Sequence, residues 1–231
     1  MSELKYPNES PEYRRARDAL LEKEYALITQ VKAVAAQRRE LPLGGKLKED
    51  YLFIGANDDN FGKEVPISAL FGDQRTLIMY SYMFGPGWDN PCMSCTSLVD
   101  GFDRAAISVS RDAAFMVIAA ASAKQLNDVA KNRGWRNIRL LSAGNSGYLR
   151  DYQCQSGEDE TTLVPAMHVF TKRDDGIYHF WGTEMQGNSI DMVWVYWNLM
   201  DMTPEGRPDR MTPPQNFRSR FLEKHYLHKE D

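Results

Sequence analysis

Cys92 and Cys95 form the only Cys-x-x-Cys in a chain of 231 residues. Thiols at this spacing can close a small disulfide ring, and the thiolate form is the nucleophile of disulfide exchange. Ahead of them runs Gly85-Pro86-Gly87-Trp88-Asp89-Asn90-Pro91, which can be little other than a loop. Behind them Leu98, Val99, Phe102, Ala106 and Val109 recur at helical spacing. The pair is therefore expected in the first turn of a helix, where unpaired N–H groups and the positive end of the dipole stabilise a negative sulfur. Cys92, nearer the terminus, is expected to be the more acidic and attacking thiol. Cys95, a turn further in, is expected to resolve the mixed disulfide. The chemistry this points to is thiol–disulfide oxidoreduction, on a small thiol or a protein disulfide.

A helix start must be held by a frame. Thr76 to Phe84 is a nearly continuous apolar and aromatic run, as in a central strand buried on both faces. Ala114 to Ala120 reads as a second strand, Ser122 to Arg133 as a helix closed by Gly134, and Trp135 to Leu141 as a third strand. Residues 142 to 162 turn polar and Gly-rich. Val164 to Phe170 and Ile177 to Trp181 flank Arg173-Asp-Asp-Gly176, a hairpin signal. Lys48 to Ile54 and Val65 to Leu70 suggest an earlier hairpin, and Asp191 to Met200 a last helix. Alternating strands and helices predict an α/β domain with a mainly parallel sheet and antiparallel strands at one side. Active groups of such sheets lie outside the carboxyl ends of the strands, where the Cys loop sits.

Before this domain, Ser10 to Glu40 reads as a helix, with Pro11 at its first position and a stripe of Tyr13, Ala16, Leu20, Leu27, Val31 and Val34. That stripe would pack on its own domain or join two copies as a homodimer. The expected division is a helical extension over 1–45, the α/β domain over 46–203, and a polar tail over 204–231.

Composition narrows the function classes. The net charge of −4, with both signs interspersed, offers no footprint for nucleic acid. No apolar run approaches the roughly 18 residues of a membrane span, and no basic and apolar leader opens the chain. A cytoplasmic protein is expected, in which three cysteines would not build a disulfide framework. Phosphate-loop, dinucleotide, metalloprotease and nucleophile-elbow motifs are missing, so no cofactor and no metal are expected.

Other uses of these residues stay open at this level. Cys92 and Cys95 could be an inert buried pair, or could join Cys154 and one of His168, His179, His225 and His228 on zinc, which normally takes four ligands. Cys154 could also be a third redox partner, and His168 is more simply a core histidine. Trp88 could orient substrate or anchor its own loop. Tyr82 and Met83 end the central strand on alternate faces, so one of them should approach the Cys helix. A peroxide reductase of the peroxiredoxin kind would need an arginine beside the thiolate, for which Arg111 or Arg139 are the candidates. A non-catalytic interaction module is the remaining class.

The order of strand, loop, Cys-x-x-Cys and helix, with Val164-Pro165 opening a later strand, hairpin and helix, resembles the thioredoxin superfamily. More narrowly, Phe84-Gly-Pro-Gly-Trp-Asp-Asn-Pro-Cys-Met-Ser-Cys95 resembles the bacterial DUF899 family, as do Arg-Arg-Glu-Leu-Pro42, Gly182 and Asp201-Met-Thr-Pro-Glu-Gly-Arg207. The resemblance implies a thioredoxin-like fold of mixed sheet flanked by helices. It implies that Pro165, in cis, lies across from the Cys pair and with Val164 presents substrate backbone, Trp88 flanking the site. Met93-Ser94 stands where thioredoxins carry the dipeptide that tunes the redox potential.

Overall fold

The computed structural model describes residues 5–57, 59–144, 146–156, 162–184 and 191–207. The chain divides into two units, the first ending at Leu43 and the second starting at Gly44. The first is built on helix α1 (Pro11–Arg39), whose Ser10 side chain accepts the Tyr13 N–H with Pro11 following at the first position. Glu12 in its first turn and Arg38 and Arg39 in its last complement the helix dipole.

The second unit begins with β1 (Leu52–Gly55), β2 (Glu64–Pro66) and the short α2 (Ile67–Leu70). Next come β3 (Thr76–Tyr82), α3 (Met93–Val109), β4 (Ala114–Ala119), α4 (Ala123–Arg133) and β5 (Arg139–Ser142). A short α5 (Tyr148–Asp151) and the small strands β6 (Gln155–Ser156) and β7 (Thr162–Leu163) lead to the hairpin β8 (Ala166–Arg173) and β9 (Gly176–Gly182). A 3-10 turn (Asp191–Val193) and α6 (Val195–Met200) end the described chain before residues 201–207. The polar tail beyond residue 207 lies outside the described residues.

One seven-stranded sheet runs in the order β2-β1-β5-β4-β3-β8-β9. β3, β4 and β5 are parallel, β8 and β9 are antiparallel on one side, and β1 and β2 are antiparallel on the other. A parallel strand, a Cys-bearing helix, a second parallel strand and a closing hairpin make this a thioredoxin-like α/β fold. Among the described residues no helix is long and apolar enough to cross a membrane.

β3 is central and buried on both faces, which is why its sequence reads as a nearly continuous apolar run. Tyr80 and Tyr82 point to one layer with Val117, Ala119 and Leu140 of the sheet, Leu98, Val99 and Phe102 of α3, and Leu126 of α4. Leu77 and Met79 point to the other, with Met116, Ile118, Phe170, Phe53 and Tyr148. Each Val, Leu, Ile, Phe or Met among them, fully buried, stabilises the fold by about 1.5–3 kcal/mol relative to exposure.

α4 starts at a capping box of Ser122 and Gln125 and stops at Gly134, whose φ of 69° closes the helix in the left-handed region. β5 is shorter than Trp135 to Leu141 predicts, and the reason is one carboxylate. Asp103 of α3, almost fully buried, accepts the N–H groups of Arg136, Asn137 and Ile138 at 2.8, 2.7 and 3.1 Å. Those amides are committed to Asp103 and the sheet ladder begins after them. Lys48 to Tyr51 likewise stay outside β1. The chain from Gly44 to Leu47 instead runs beside β9, exchanging bonds with His179 and Ile177. The last helix divides at Trp194 into the 3-10 turn and α6.

Candidate functional site

Between β3 and α3 the chain passes from Met83 to Pro91 over the carboxyl ends of the parallel strands. Phe84 is fixed there by accepting the Ala121 N–H at 2.8 Å. Trp88 folds back over Gly85, where an added Cβ would lie 2.8 Å from the indole Nε1, so only glycine fits beneath it. The half-buried indole packs on the same apolar cluster as Cys92.

Cys92 is the N-cap of α3, with φ −58° and ψ 125°. Its N–H donates to the Met83 carbonyl at 3.0 Å, and its carbonyl accepts the Thr96 N–H at 2.9 Å and the Thr96 hydroxyl at 2.8 Å. The Tyr82 hydroxyl lies 2.6 Å from Thr96 Oγ1, so the strand that delivers the loop also braces the helix start. Tyr82 is thus the residue that approaches the Cys helix through its side chain, while Met83 does so through its backbone.

The two sulfurs, both free thiols, differ in surroundings. The Cys92 pKa is brought down to about 6 by a hydrogen bond from Cys95, against the opposing effect of burial and with help from the N–H groups of Cys95 and Ser94. Those N–H groups belong to the open first turn of α3. Cys95 is buried and its pKa is raised, first by its hydrogen bond to Cys92, then by burial and by the Cys92 charge, with Tyr80 and the Met83 backbone acting the other way. A partly exposed, acidic sulfur and a buried, reluctant one stand a turn apart.

Cys154 is on the far side of the sheet. Ser81, which alternates with Tyr80 and Tyr82, donates to its sulfur at 3.0 Å, and Cys154 packs in the cluster opposite the one that holds Cys95. The strand pleat that sends Tyr80 and Tyr82 to one face sends Ser81 to the other, so a site shared by all three cysteines, whether on zinc or as a third redox partner, is ruled out by the architecture. Among the described residues no three metal-ligating side chains converge. His225 and His228 lie outside the described residues. His168 is a satisfied core histidine: its Nδ1 is 3.0 Å from His179 Nε2, and burial holds its pKa down near 4.

Pro165 directly precedes β8, whose Ala166 pairs with Ser81, so it stands at the level where β3 ends. Every described peptide bond is trans, Pro165 included, contrary to the cis form expected from the resemblance. The trans form is the ordinary preference of an X-Pro bond, and a residue ahead of the ladder gives up no strand hydrogen bond by being proline. Val164, whose N–H donates to the Cys154 carbonyl at 2.9 Å, and Pro165 are half-buried. Both line a cavity of about 670 Å³ with Tyr152, Ala166, His168 and His179, and neither Cys92 nor Cys95 is among its described walls.

The arginine candidates for peroxide chemistry are not at the sulfurs. Arg111 follows the far end of α3, a helix of 17 residues and so about 25 Å long. Arg139 opens β5 beside Met116 of β4, which is level with Met79 of β3, three residues or about 10 Å short of the end of β3 from which the Cys loop leaves. What the sequence reading missed is Tyr80 and Thr96. Both are buried around the pair, and only the pleat of β3 and the turn of α3 bring them there.

The chain matches the model of a family described as "Bacterial protein of unknown function (DUF899)" over residues 3–225. No curated protein matches it. Solved structures that resemble it include a peroxiredoxin Q mutant from Xanthomonas campestris, at 12% identity and TM-score 0.45, covering 65% of this chain and 93% of that one. Peroxidoxin BcpB from Mycobacterium tuberculosis is 14% identical at TM-score 0.45, with 67% and 95% covered. Prx1a of Plasmodium yoelii, modified at its N-terminus, is 17% identical at TM-score 0.46, with 64% and 86% covered.

Proposed function

Since the chain belongs to the DUF899 family, whose description assigns no activity, we propose a function from the site itself: thiol–disulfide oxidoreduction by Cys92 and Cys95. The observation that carries this reading is the placement of Cys92 as N-cap of α3, its sulfur served by the Ser94 and Cys95 N–H groups and its pKa near 6. At pH 7 such a thiol is about nine-tenths thiolate, against a few per cent for an ordinary one.

Cys92 thiolate attacks a substrate disulfide, forming a Cys92–substrate bond and releasing one substrate thiolate with the electron pair. Cys95 then loses its proton and attacks Cys92. The intramolecular disulfide forms, the second substrate thiol leaves, and two electrons have passed to the substrate. A small thiol or a partner dithiol restores the pair. Val164 and Pro165, at the level where β3 ends, are the residues proposed to present the substrate, and Trp88 flanks its approach. The substrate is a small disulfide or a protein disulfide, and the compartment is the cytoplasm, where the pair is kept reduced.

The experiment is trapping. With Cys95→Ser the reaction should stop at a mixed disulfide on Cys92, visible by mass spectrometry, whereas Cys92→Ser should form none and reduce no disulfide. Equal disulfide reduction by wild type and Cys92→Ser, or none by wild type, would overturn the reading. The latter result would leave a non-catalytic interaction module. Rapid consumption of hydrogen peroxide that survives Cys95→Ser would instead favour a one-cysteine peroxide reductase.

A further inference from the structure

Tyr80 stands in the middle of β3 with none of its surface exposed. Its ring packs edge-on against Phe102 of α3, at 5.3 Å between centroids, in the cluster that includes Cys95. A phenylalanine would do that packing equally well. The hydroxyl is the anomaly, because in the resting pair it makes no hydrogen bond, to oxygen, nitrogen or sulfur, among the described residues. Leaving a buried polar group unsatisfied is costly, and such groups in folded proteins call for an explanation. Cys95 lies in the same buried cluster, and its sulfur is the ionisable group that acts most strongly on this phenol.

We propose that Tyr80 is the hydrogen-bond donor that makes Cys95 a competent resolving nucleophile, its hydroxyl being fully satisfied only when the Cys95 sulfur carries the negative charge. This rests on the thiol–disulfide reading of the pair and adds a third residue to it.

The physics of the resting pair explains why such a donor is needed. Cys95 is kept protonated by three influences: its hydrogen bond to Cys92, burial, and the Cys92 charge. Two of these vanish once Cys92 is tied in a mixed disulfide, because that sulfur is then neutral. Burial remains, and it still opposes a thiolate in an apolar layer. Tyr80 and the Met83 backbone remain as well, and they favour the charged form. Tyr80 therefore acts when Cys95 must give up its proton and attack Cys92. In that step the Cys92–Cys95 bond forms, the bond from Cys92 to the substrate sulfur breaks, and the substrate thiolate leaves with the electron pair. The Cys95 proton passes to solvent or to the leaving thiolate. The phenol keeps its own proton throughout, since burial raises its pKa far above the working range.

Two measurements test this. In Cys92→Ser the Cys95 sulfur titrates alone, followed by pH-dependent alkylation with the Cys95 peptide resolved by mass. Adding Tyr80→Phe should raise that midpoint by about one pH unit. An unchanged midpoint in a folded Tyr80→Phe protein would overturn the proposal. In the otherwise native chain, a chromogenic aryl disulfide releases its first aryl thiolate on Cys92 attack and its second on resolution. Tyr80→Phe should leave the first phase unaltered and slow the second about tenfold, with its pH profile displaced upward. Equal slowing of both phases would mark a structural role and overturn the proposal, as would no slowing of the second. Should Tyr80→Phe fail to fold, fluorotyrosine introduced at position 80, a more acidic phenol of nearly the same shape, should lower the Cys95 midpoint, and no change would overturn it. If wild type shows no first phase, the oxidoreductase reading fails, while the Cys95 titration still reports on Tyr80.

Discussion

Stabilising one thiolate changes which redox form the protein favours. With Cys92 near pKa 6, its ionisation at pH 7 favours the reduced pair by about 1.4 kcal/mol over a pair of ordinary thiols near 8.5, or about 30 mV. The protein should thus be a somewhat better oxidant than its loop and helix would make it with neutral sulfurs. Reduction takes up two protons below the Cys92 pKa and one above it, so the slope of the potential against pH should halve above about pH 6. A slope with no break below pH 8 would mean that Cys92 is an ordinary thiol. At this scale sequence reading reached the pair and the difference between its members, because helix-terminus physics needs only local order. It did not reach Tyr80. A strand buried on both faces has no polar side to betray its orientation, so that Tyr80 shares the layer of Cys95 becomes legible only with the pleat in place.

At the scale of elements, two side chains set where the site sits. Asp103 ties α3 to the turn before β5, taking three backbone N–H groups on Oδ1 and Asn137 Nδ2 at 2.9 Å on Oδ2. Burial pushes its carboxyl up, but these bonds outweigh it and the pKa lies below the usual value. A depressed folded-state pKa gives stability that is fully present above the unfolded value, near 3.9, and is lost as pH falls through the folded one. Asp103→Ala should cost about 3 kcal/mol in urea unfolding at pH 7, and a change below 0.5 kcal/mol would contradict this role. Gly85→Ala drives a Cβ into the Trp88 indole. Denaturant unfolding should show a loss of about 1–3 kcal/mol, with altered tryptophan fluorescence, and unchanged fluorescence and stability would show that the loop packs otherwise. On an amphipathic helix, an aspartate reads as a solvated charge. Its partners lie 33 to 35 residues away, which is why sequence reading carried the third strand back to Trp135.

Across the whole molecule, the alternation of strands and helices made the α/β class legible, and Asp-Asp-Gly marked the β8–β9 hairpin. Non-local pairing was not legible. Gly44 to Leu47 runs along β9 through bonds to residues more than a hundred positions away, and no periodicity announces it. The pleat of β3 also decides that Cys154 belongs to the other layer, which spacing along the chain could not show. No residue of α1 is buried, its apolar stripe included, and from this we propose that two copies associate through it. Sedimentation at micromolar concentration should then give a dimer that Leu27→Glu with Val31→Glu dissociates, and a monomer in the wild type would contradict it.

The central claim is that Cys92 is a thiolate by virtue of its place at the start of α3. The most direct test is the pH dependence of alkylation of the Cys92 peptide in the intact, reduced wild-type protein. The account predicts a midpoint near 6, and a midpoint at or above about 8.5, that of a free thiol, would contradict it.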